Sequence, residues 1–423
     1  MMSDAVFALS LALLLIAPLA IAGVALINTG LGRSRSAAQA LLGNLAIIAV
    51  SAIVFAFVGA SLAGVLGGSG VAFHAAGKPW NWIGNGPLLL GGFGAATPQM
   101  QLAVLFEFLS VAMAALIPWG SGADRWRLAG GCAAAAAIAA LVFPLTAHWI
   151  WGGGWLAALG IDFGQGAGFI DPGGAATVHA LGGVCALALV WIAGPRRGKF
   201  PKEGLSTAMP GHNAVYVLFG CLVATVGWLA WNAAGALVWL HAPLAALPVT
   251  AVNTLLCASG ALAATFTVTR VRFGKPDASL CANGWLAGLV ASCACAAIVS
   301  PGAAIFVGVV AGAMTPPLVE LLELALSIDD PSGAIVVHGT AAFWGIVAAG
   351  LFAHQAGQLL AQLVGIAALA GLLLPLVYLL FALLNRLLPF RVDPDGERIG
   401  MDLHELGGGA YPEFVIHRDE SYR

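Results

Sequence analysis

Charge is the scarcest commodity in this sequence: 9% of its 423 residues are Asp, Glu, Lys or Arg, against about a quarter in soluble domains. With 60% hydrophobic residues and a mean hydropathy of +0.95, the chain cannot present a water-facing surface all round. That excludes a soluble catalytic domain and places most of the chain in lipid. Cysteine is sparse as well. The seven Cys fall in apolar stretches, with only Cys293 and Cys295 close together, and no metal-ligand, haem or iron–sulfur spacing appears. Neither a cofactor nor an enzymatic centre is expected. The net charge of −2 and the scattered basic residues make no nucleic-acid patch.

What the sequence has in quantity is apolar runs of about 20 residues, the length that spans a hydrocarbon core. Eleven can be counted between breaks of Gly, Pro and charge, at about 6–30, 41–66, 98–119, 128–149, 174–194, 214–234, 247–270, 280–300, 303–326, 334–354 and 360–385. The first is longer than the roughly 7–15 apolar residues of a signal peptide and reads as a span. The expected fold is therefore an all-α polytopic membrane protein of eleven transmembrane helices. Residues 1–386 form its transmembrane domain and 387–423 a polar C-terminal tail. The 56 Gly suit close helix packing in lipid.

Lys and Arg are retained on the cytoplasmic side of a membrane. Arg33, Arg35, Arg125, Arg127, Arg196, Arg197, Lys199, Lys202, Arg270, Arg272, Lys275, Arg386 and Arg391, with Arg398, Arg418 and Arg423 in the tail, all follow odd-numbered spans. Of 17 basic residues only Lys78 does not. The N-terminus is thereby expected outside and the C-terminus in the cytoplasm, in a multi-pass protein of the inner (plasma) membrane.

An internal repeat sharpens the plan. Asp171–His179 reads DPGGAATVH and Asp330–His338 reads DPSGAIVVH, identical at six of nine positions. In each, Asp suits a helix cap and Pro the first helical position. The first segment leads into span five, running inward, and the second into span ten, running outward, so the spans form an inverted five-plus-five repeat. Such repeats place a conduction site near the midplane. At about 1.5 Å per residue, a His eight positions beyond its cap lies about 12 Å inside its own end, and two from opposite faces meet near the centre. An intramembrane imidazole is costly unless it pairs or lines a cavity, so His179 and His338 are the leading functional candidates. Two unrelated packing imidazoles are the alternative. The other seven His take no role.

Several further fragments, AHWIWGGGWL (147–156), GWLAWNAAG (227–235), VNT (252–254) and the tail GMDLHELGGGAYPEF (400–414), join the two Asp-to-His segments in an ordered set across the chain. With the eleven spans and the repeat, that set resembles the ammonium transporter (Amt/Mep/Rh) family. The resemblance implies a pore lined by the twin His179 and His338, acting as hydrogen-bond partners or a proton relay. It implies an outer recruitment site in which Trp151 and Phe106 present aromatic faces, where a cation gains roughly 0.5–2 kcal/mol. Asp171 matches the family's buried carboxylate and is read as cap and electrostatic support, the plain cap fitting equally well. Asp330 is read as structural. The resemblance also implies a homotrimer and a cytoplasmic face that receives P-II regulatory proteins, although Gly408 and Gly409 stand where acidic residues are common.

Departures from the pattern cluster at the outer gate. Two stacked Phe are replaced by Ser110 and Trp231, a Ser that often contacts ammonium is replaced by Gly235, and Glu107 stands where Gln is common. Glu107 is a possible cation site or, with slightly more in its favour, a carboxyl neutralised in an interhelical hydrogen bond. The gate is expected to be wider on one side and more polar, admitting methylammonium beside ammonium and ammonia; the alternative is that Trp231 swings across and closes the pore alone, leaving ammonium selectivity as in the family. The function expected is ammonium transport. Its alternative is an ammonium or methylammonium sensor with little flux that signals through the tail to a separate partner.

Overall fold

The computed structural model describes residues 2–68, 70–203 and 206–411. Among them, eleven helices are long and apolar enough to cross a membrane: α1 (Asp4–Leu31), α2 (Ser34–Ala63), α3 (Pro98–Ser121), α4 (Leu128–Ile150), α5 (Ala175–Ala193), α6 (Ala214–Trp239), α7 (Leu244–Phe273), α8 (Ala278–Cys295), α9 (Pro301–Ala325), α10 (Ile335–Phe352) and α11 (Gln358–Leu387). Their starts carry recognisable signals. Thr97, Asn213, Asp277 and Ser300 each accept the main-chain N–H three residues on, and Pro98 and Pro301 occupy first helical positions. The segment count matches the sequence expectation, with ends shifted by a few residues. The largest differences are at the start of α2 and the ends of α6 and α8. Gly235 does not end α6, because it is a packing glycine inside the helix.

Small residues set the packing. A Cβ on Gly227 would lie 1.9 Å from the Ala20 nitrogen, and one on Gly23 2.4 Å from the Ala224 nitrogen, so α1 and α6 cross almost backbone to backbone. The helices that carry the two repeated segments do the same, for a Cβ on Gly183 would lie 2.5 Å from Gly339. This contact of α5 with α10 is what brings the two His turns together. Helices α3, α5 and α8 are the most buried spans, whereas α1, α2, α9 and α11 expose long apolar faces.

One element departs from an all-helical reading. Between α2 and α3 the chain forms an antiparallel hairpin, β1 (Val71–Ala75) and β2 (Lys78–Ile83). Ala76 and Gly77 both have positive φ (51° and 73°), as a tight hairpin turn of this hand requires. Trp80 and Trp82 of β2 pack on Trp155, and the Trp149 indole donates to the Trp82 carbonyl at 2.8 Å. His148 joins the same junction, 3.1 Å from the Ala63 carbonyl and 3.1 Å from Asn81 Oδ1.

The opposite, basic face is held by a buried ion cluster. Arg196 reaches Asp124 at 3.1 Å and Asp329 at 2.9 Å, and Arg125 reaches Asp329 at 3.7 Å. Burial alone would raise the Asp329 carboxyl, but hydrogen bonds from Arg196 and the charges of Arg125 and Arg196 hold it down to about 2.

The tail folds back on this face through a short helix, α12 (Pro394–Ile399), capped by Asp393. Asp402 then accepts the N–H groups of Ala38 (3.1 Å) and Gln39 (2.8 Å) at the start of α2, and Glu405 accepts the Leu128 N–H (3.0 and 3.1 Å) at the start of α4. Two tail carboxylates thus cap two spans. Gly400 has φ +104°, and a Cβ there would meet Arg35 at 2.6 Å. The end of the tail motif, Pro412 to Phe414, and the basic residues Arg418 and Arg423 lie outside the described residues.

Candidate functional site

Two repeated segments open α5 and α10, and both begin in a wide, π-helical turn, Ala175–Ala180 and Ile335–Thr340. The caps differ from the expected form. Pro172 precedes a loop closed by Gly174 (φ +78°) and is not the first helical residue. This loop lets Asp171 Oδ2 reach further on, to the N–H of Ala176 (3.0 Å) and Thr177 (2.9 Å) and the Thr177 hydroxyl (2.8 Å). Asp330 Oδ2 likewise accepts the N–H of Ile335 at 2.8 Å.

The geometry puts His179 and His338 side by side. Their Nδ1 atoms are 3.2 Å apart and their rings lie 5.2 Å apart at 20°. They are 1% and 4% exposed. One Nδ1 must then carry a proton and the other a lone pair, so the pair shares a single proton across this contact. No described residue bonds to either Nε2. Trp228 stacks on His179 at 5.2 Å and 13°, and its indole N–H points at Cys293 Sγ, 3.1 Å away.

Towards the hairpin face, the aromatic residues form a compact group. Phe106 sets its edge against Trp151 (5.5 Å, 86°) and lies 5.3 Å from Trp231. Two indoles are pinned to the first repeat loop: Trp151 donates to the Asp171 carbonyl at 2.8 Å and Trp231 to the Gly173 carbonyl at 3.0 Å. Trp239, which sequence reasoning left out, stacks flat on Trp151 at 4.8 Å and 6° and meets Phe106 edge-on. It covers one face of the indole singled out for cation recruitment. A Trp at the end of a span reads as an interface anchor, so no sequence signal marked it.

At the gate positions, Ser110 is fully buried and its hydroxyl has no partner among the described residues, while Trp231 is 2% exposed. Both side chains are thus packed inside the protein. Gly235 has a packing reason: a Cβ there would lie 2.1 Å from the Pro172 carbonyl oxygen. Glu107 is fully buried, and no described residue donates to either carboxylate oxygen. The interhelical hydrogen bond expected for it is absent. Groups of His, Cys, Asp or Glu able to hold a metal are not found among the described residues.

The profile of the Ammonium Transporter Family matches residues 6–411, nearly all of the described chain. The chain belongs to the ammonium transporter family. Ammonium transporter Amt2 of Archaeoglobus fulgidus is 32% identical, over 94% of this chain and 86% of that protein. The ammonium transporter of Bacillus subtilis is 28% identical over 97% and 99%. Among solved structures, a sensor Amt protein superposes with a TM-score of 0.85 at 26% identity, covering 95% of this chain and 98% of that one. Candida albicans Mep2 gives 0.79 at 23%, over 97% and 91%, and shares the fold. As a member of the ammonium transporter family with eleven spans, the protein is a multi-pass plasma-membrane protein whose family function is ammonium transport.

Proposed function

We propose that the chain passes ammonium through a pore at whose centre His179 and His338 act as one unit. The observation that carries this reading is the 3.2 Å Nδ1 contact between two imidazoles that one repeat unit delivers from opposite faces. An intact ion entering a dry passage faces an idealised Born penalty of order 20 kcal/mol, smaller in real proteins but still prohibitive. Giving up a proton removes it: ammonium becomes ammonia plus a proton at the mouth, and neutral ammonia moves past the two Nε2 atoms by exchanging hydrogen bonds. The proton follows by a separate or a shared His route. Trp151 and Phe106 concentrate the cation at the mouth, and the Asp171 carboxylate supports it electrostatically. The proposed unit is a homotrimer with a tail face suited to a P-II protein.

The second reading is an ammonium sensor with little flux. It is favoured by the likeness to a sensor Amt protein and by the buried Trp231, anchored to the Gly173 carbonyl. Current recording on proteoliposomes after pulses of ammonium, methylammonium and sodium separates the two. Transport predicts saturable ammonium currents, and exchanging both His179 and His338 for Ala should abolish them or turn them into unselective leak. Unchanged currents and selectivity in that double variant would rule the twin-His mechanism out. Ammonium binding without current would favour the sensor.

A further inference from the structure

On the basic face, away from the His pair, a cavity of about 210 Å³ is walled by five arginines, Arg33, Arg35, Arg196, Arg197 and Arg398, and two carboxylates, Asp124 and Glu397. Its walls come from four places in the chain: the turn after α1, the loop after α3, the loop after α5 and helix α12. Both carboxylates are already engaged. Asp124 takes Arg196 at 3.1 Å and the Arg33 N–H at 3.0 Å, and Glu397 takes Arg391 and the Arg197 N–H, each at 2.7 Å. Arg196 is further matched by Asp329.

Arg197 reaches Glu397 at 4.0 Å, and the guanidinium groups of Arg33, Arg35 and Arg398 have no buried carboxylate partner among the described residues. Arg35 donates to the main-chain carbonyls of Arg398 (2.6 Å) and Glu397 (3.2 Å), not to an acid. Arg398 has only the exposed Asp395 at 3.5 Å, and Arg33 forms no ion pair among the described residues. Positive charge therefore exceeds negative around a half-open cavity, in which Arg196 is buried and Arg35, Arg197 and Arg398 are exposed. Guanidinium forks match oxyanions in geometry as well as charge.

We propose that this cavity binds a phosphoryl oxyanion and so ties the tail to the loops after α1 and α5. Its size is below the roughly 300–1,000 Å³ of drug-sized pockets and suits one phosphate group. Adjoining cavities of about 370 Å³, which shares Arg33 and Arg35, and about 550 Å³, which shares Arg196 and Arg197, leave room for whatever the phosphate is attached to. A phosphate carries nearly two charges and three strong acceptor oxygens, which several converging arginines serve better than they would chloride. The group can belong to a soluble phosphate compound or to the headgroup of an anionic lipid. The site does not depend on the transport reading.

Thermal unfolding of the full-length protein tests it. In detergent, sodium phosphate should raise the midpoint saturably above sodium chloride of equal ionic strength, because a ligand that binds only the folded form stabilises it. Arg33→Gln with Arg398→Gln should raise the phosphate concentration needed by roughly tenfold or more, since each removed guanidinium takes away charge-assisted hydrogen bonds. Arg33→Gln alone, which breaks no ion pair among the described residues, keeps the comparison decisive if the double variant does not fold. In a second arm, wild type and variant are reconstituted in phosphatidylcholine vesicles with and without phosphatidic acid. Stabilisation by phosphatidic acid that the variant loses marks the lipid source, and stabilisation by phosphate in detergent without a lipid effect marks the soluble one. No shift with either probe, or equal shifts in wild type and variants, overturns the site.

Discussion

Replacing Asp171 by Ala and, separately, by Asn divides its work as a cap from its work as a charge. In the folded chain Asp171 Oδ2 accepts two main-chain N–H groups and one hydroxyl, at 2.8 to 3.0 Å, while Oδ1 is buried without a partner among the described residues. Ala leaves all three donors buried and unpaired. At roughly 1–3 kcal/mol each, and with partial relaxation, the loss should be about 3–6 kcal/mol. Asn can keep its carbonyl oxygen towards the same donors. It gives up the charge-assisted share of three bonds, which should cost about 1–2 kcal/mol. The two variants therefore differ mainly in fold, whereas wild type and Asn differ mainly in charge. Unfolding midpoints in detergent and ammonium currents in proteoliposomes read these separately. The expected result is a strongly destabilised Ala variant and a folded Asn variant with sharply reduced currents. An Ala variant as stable as wild type would refute the capping argument. Full currents in the Asn variant would refute the electrostatic one and leave Asp171 a cap alone.

Two further outcomes are expected. Asp402→Ala with Glu405→Ala removes caps worth about 1 kcal/mol each, with a similar contribution from charge at two helix starts; trypsin should then cut the tail faster and currents should fall, as they should for Gly400→Ala, whose Cβ would strike Arg35. Unaltered proteolysis and transport in both would show the docked tail to be dispensable. Ser110→Phe with Trp231→Phe, which installs the usual gate pair, should depress methylammonium flux more than ammonium flux, and an equal effect on both would sink the wider-gate idea.

The membrane fold was legible because its signal is local: about 20 apolar residues make a span whatever lies elsewhere in the chain. The positions of His179 and His338 were legible for a related reason, since the repeat states their geometry twice. What escaped notice depends on distant partners. Asp402 and Glu405 sit in a polar tail and gain their role only by meeting Gln39 and Leu128, hundreds of residues away in sequence. Asp329 immediately precedes the second repeated segment, and its role as the buried counter-ion of Arg196 depends on the distant loop after α5. Trp239 is in the same class, because stacking on Trp151 requires the hairpin-side ends of α4 and α6 to converge. The hairpin itself was hidden by its shortness, with its tryptophans scattered in a Gly-rich loop.

The repeat also explains why its two aspartates need not do the same work. Both cap their helices through Oδ2, but their other oxygens differ. Asp330 Oδ1 accepts the hydroxyls of Ser121 at 2.8 Å and Ser332 at 3.3 Å. Asp171 Oδ1 accepts none among the described residues. Part of the difference lies in the third residue of the repeated segment, Ser332 in one copy and Gly173 in the other, and the rest in Ser121 of α3, the shorter of the two donors. A Cβ on Gly173 would lie 2.6 Å from Asn232 Oδ1 and 2.7 Å from the Cys293 carbonyl oxygen, so α6 and α8 leave no room for a Ser there. The carbonyl of that same Gly173 anchors Trp231, and that of Asp171 anchors Trp151. Close packing thus removes one potential donor to Asp171, in the loop that also anchors Trp151 and Trp231. In the second copy both oxygens accept hydrogen bonds, whereas in the first all three bonds fall on Oδ2. On physical grounds the two-fold pattern of the sequence supports a one-sided electrostatic function, with Asp171 and not Asp330 as the residue whose charge should matter to transport.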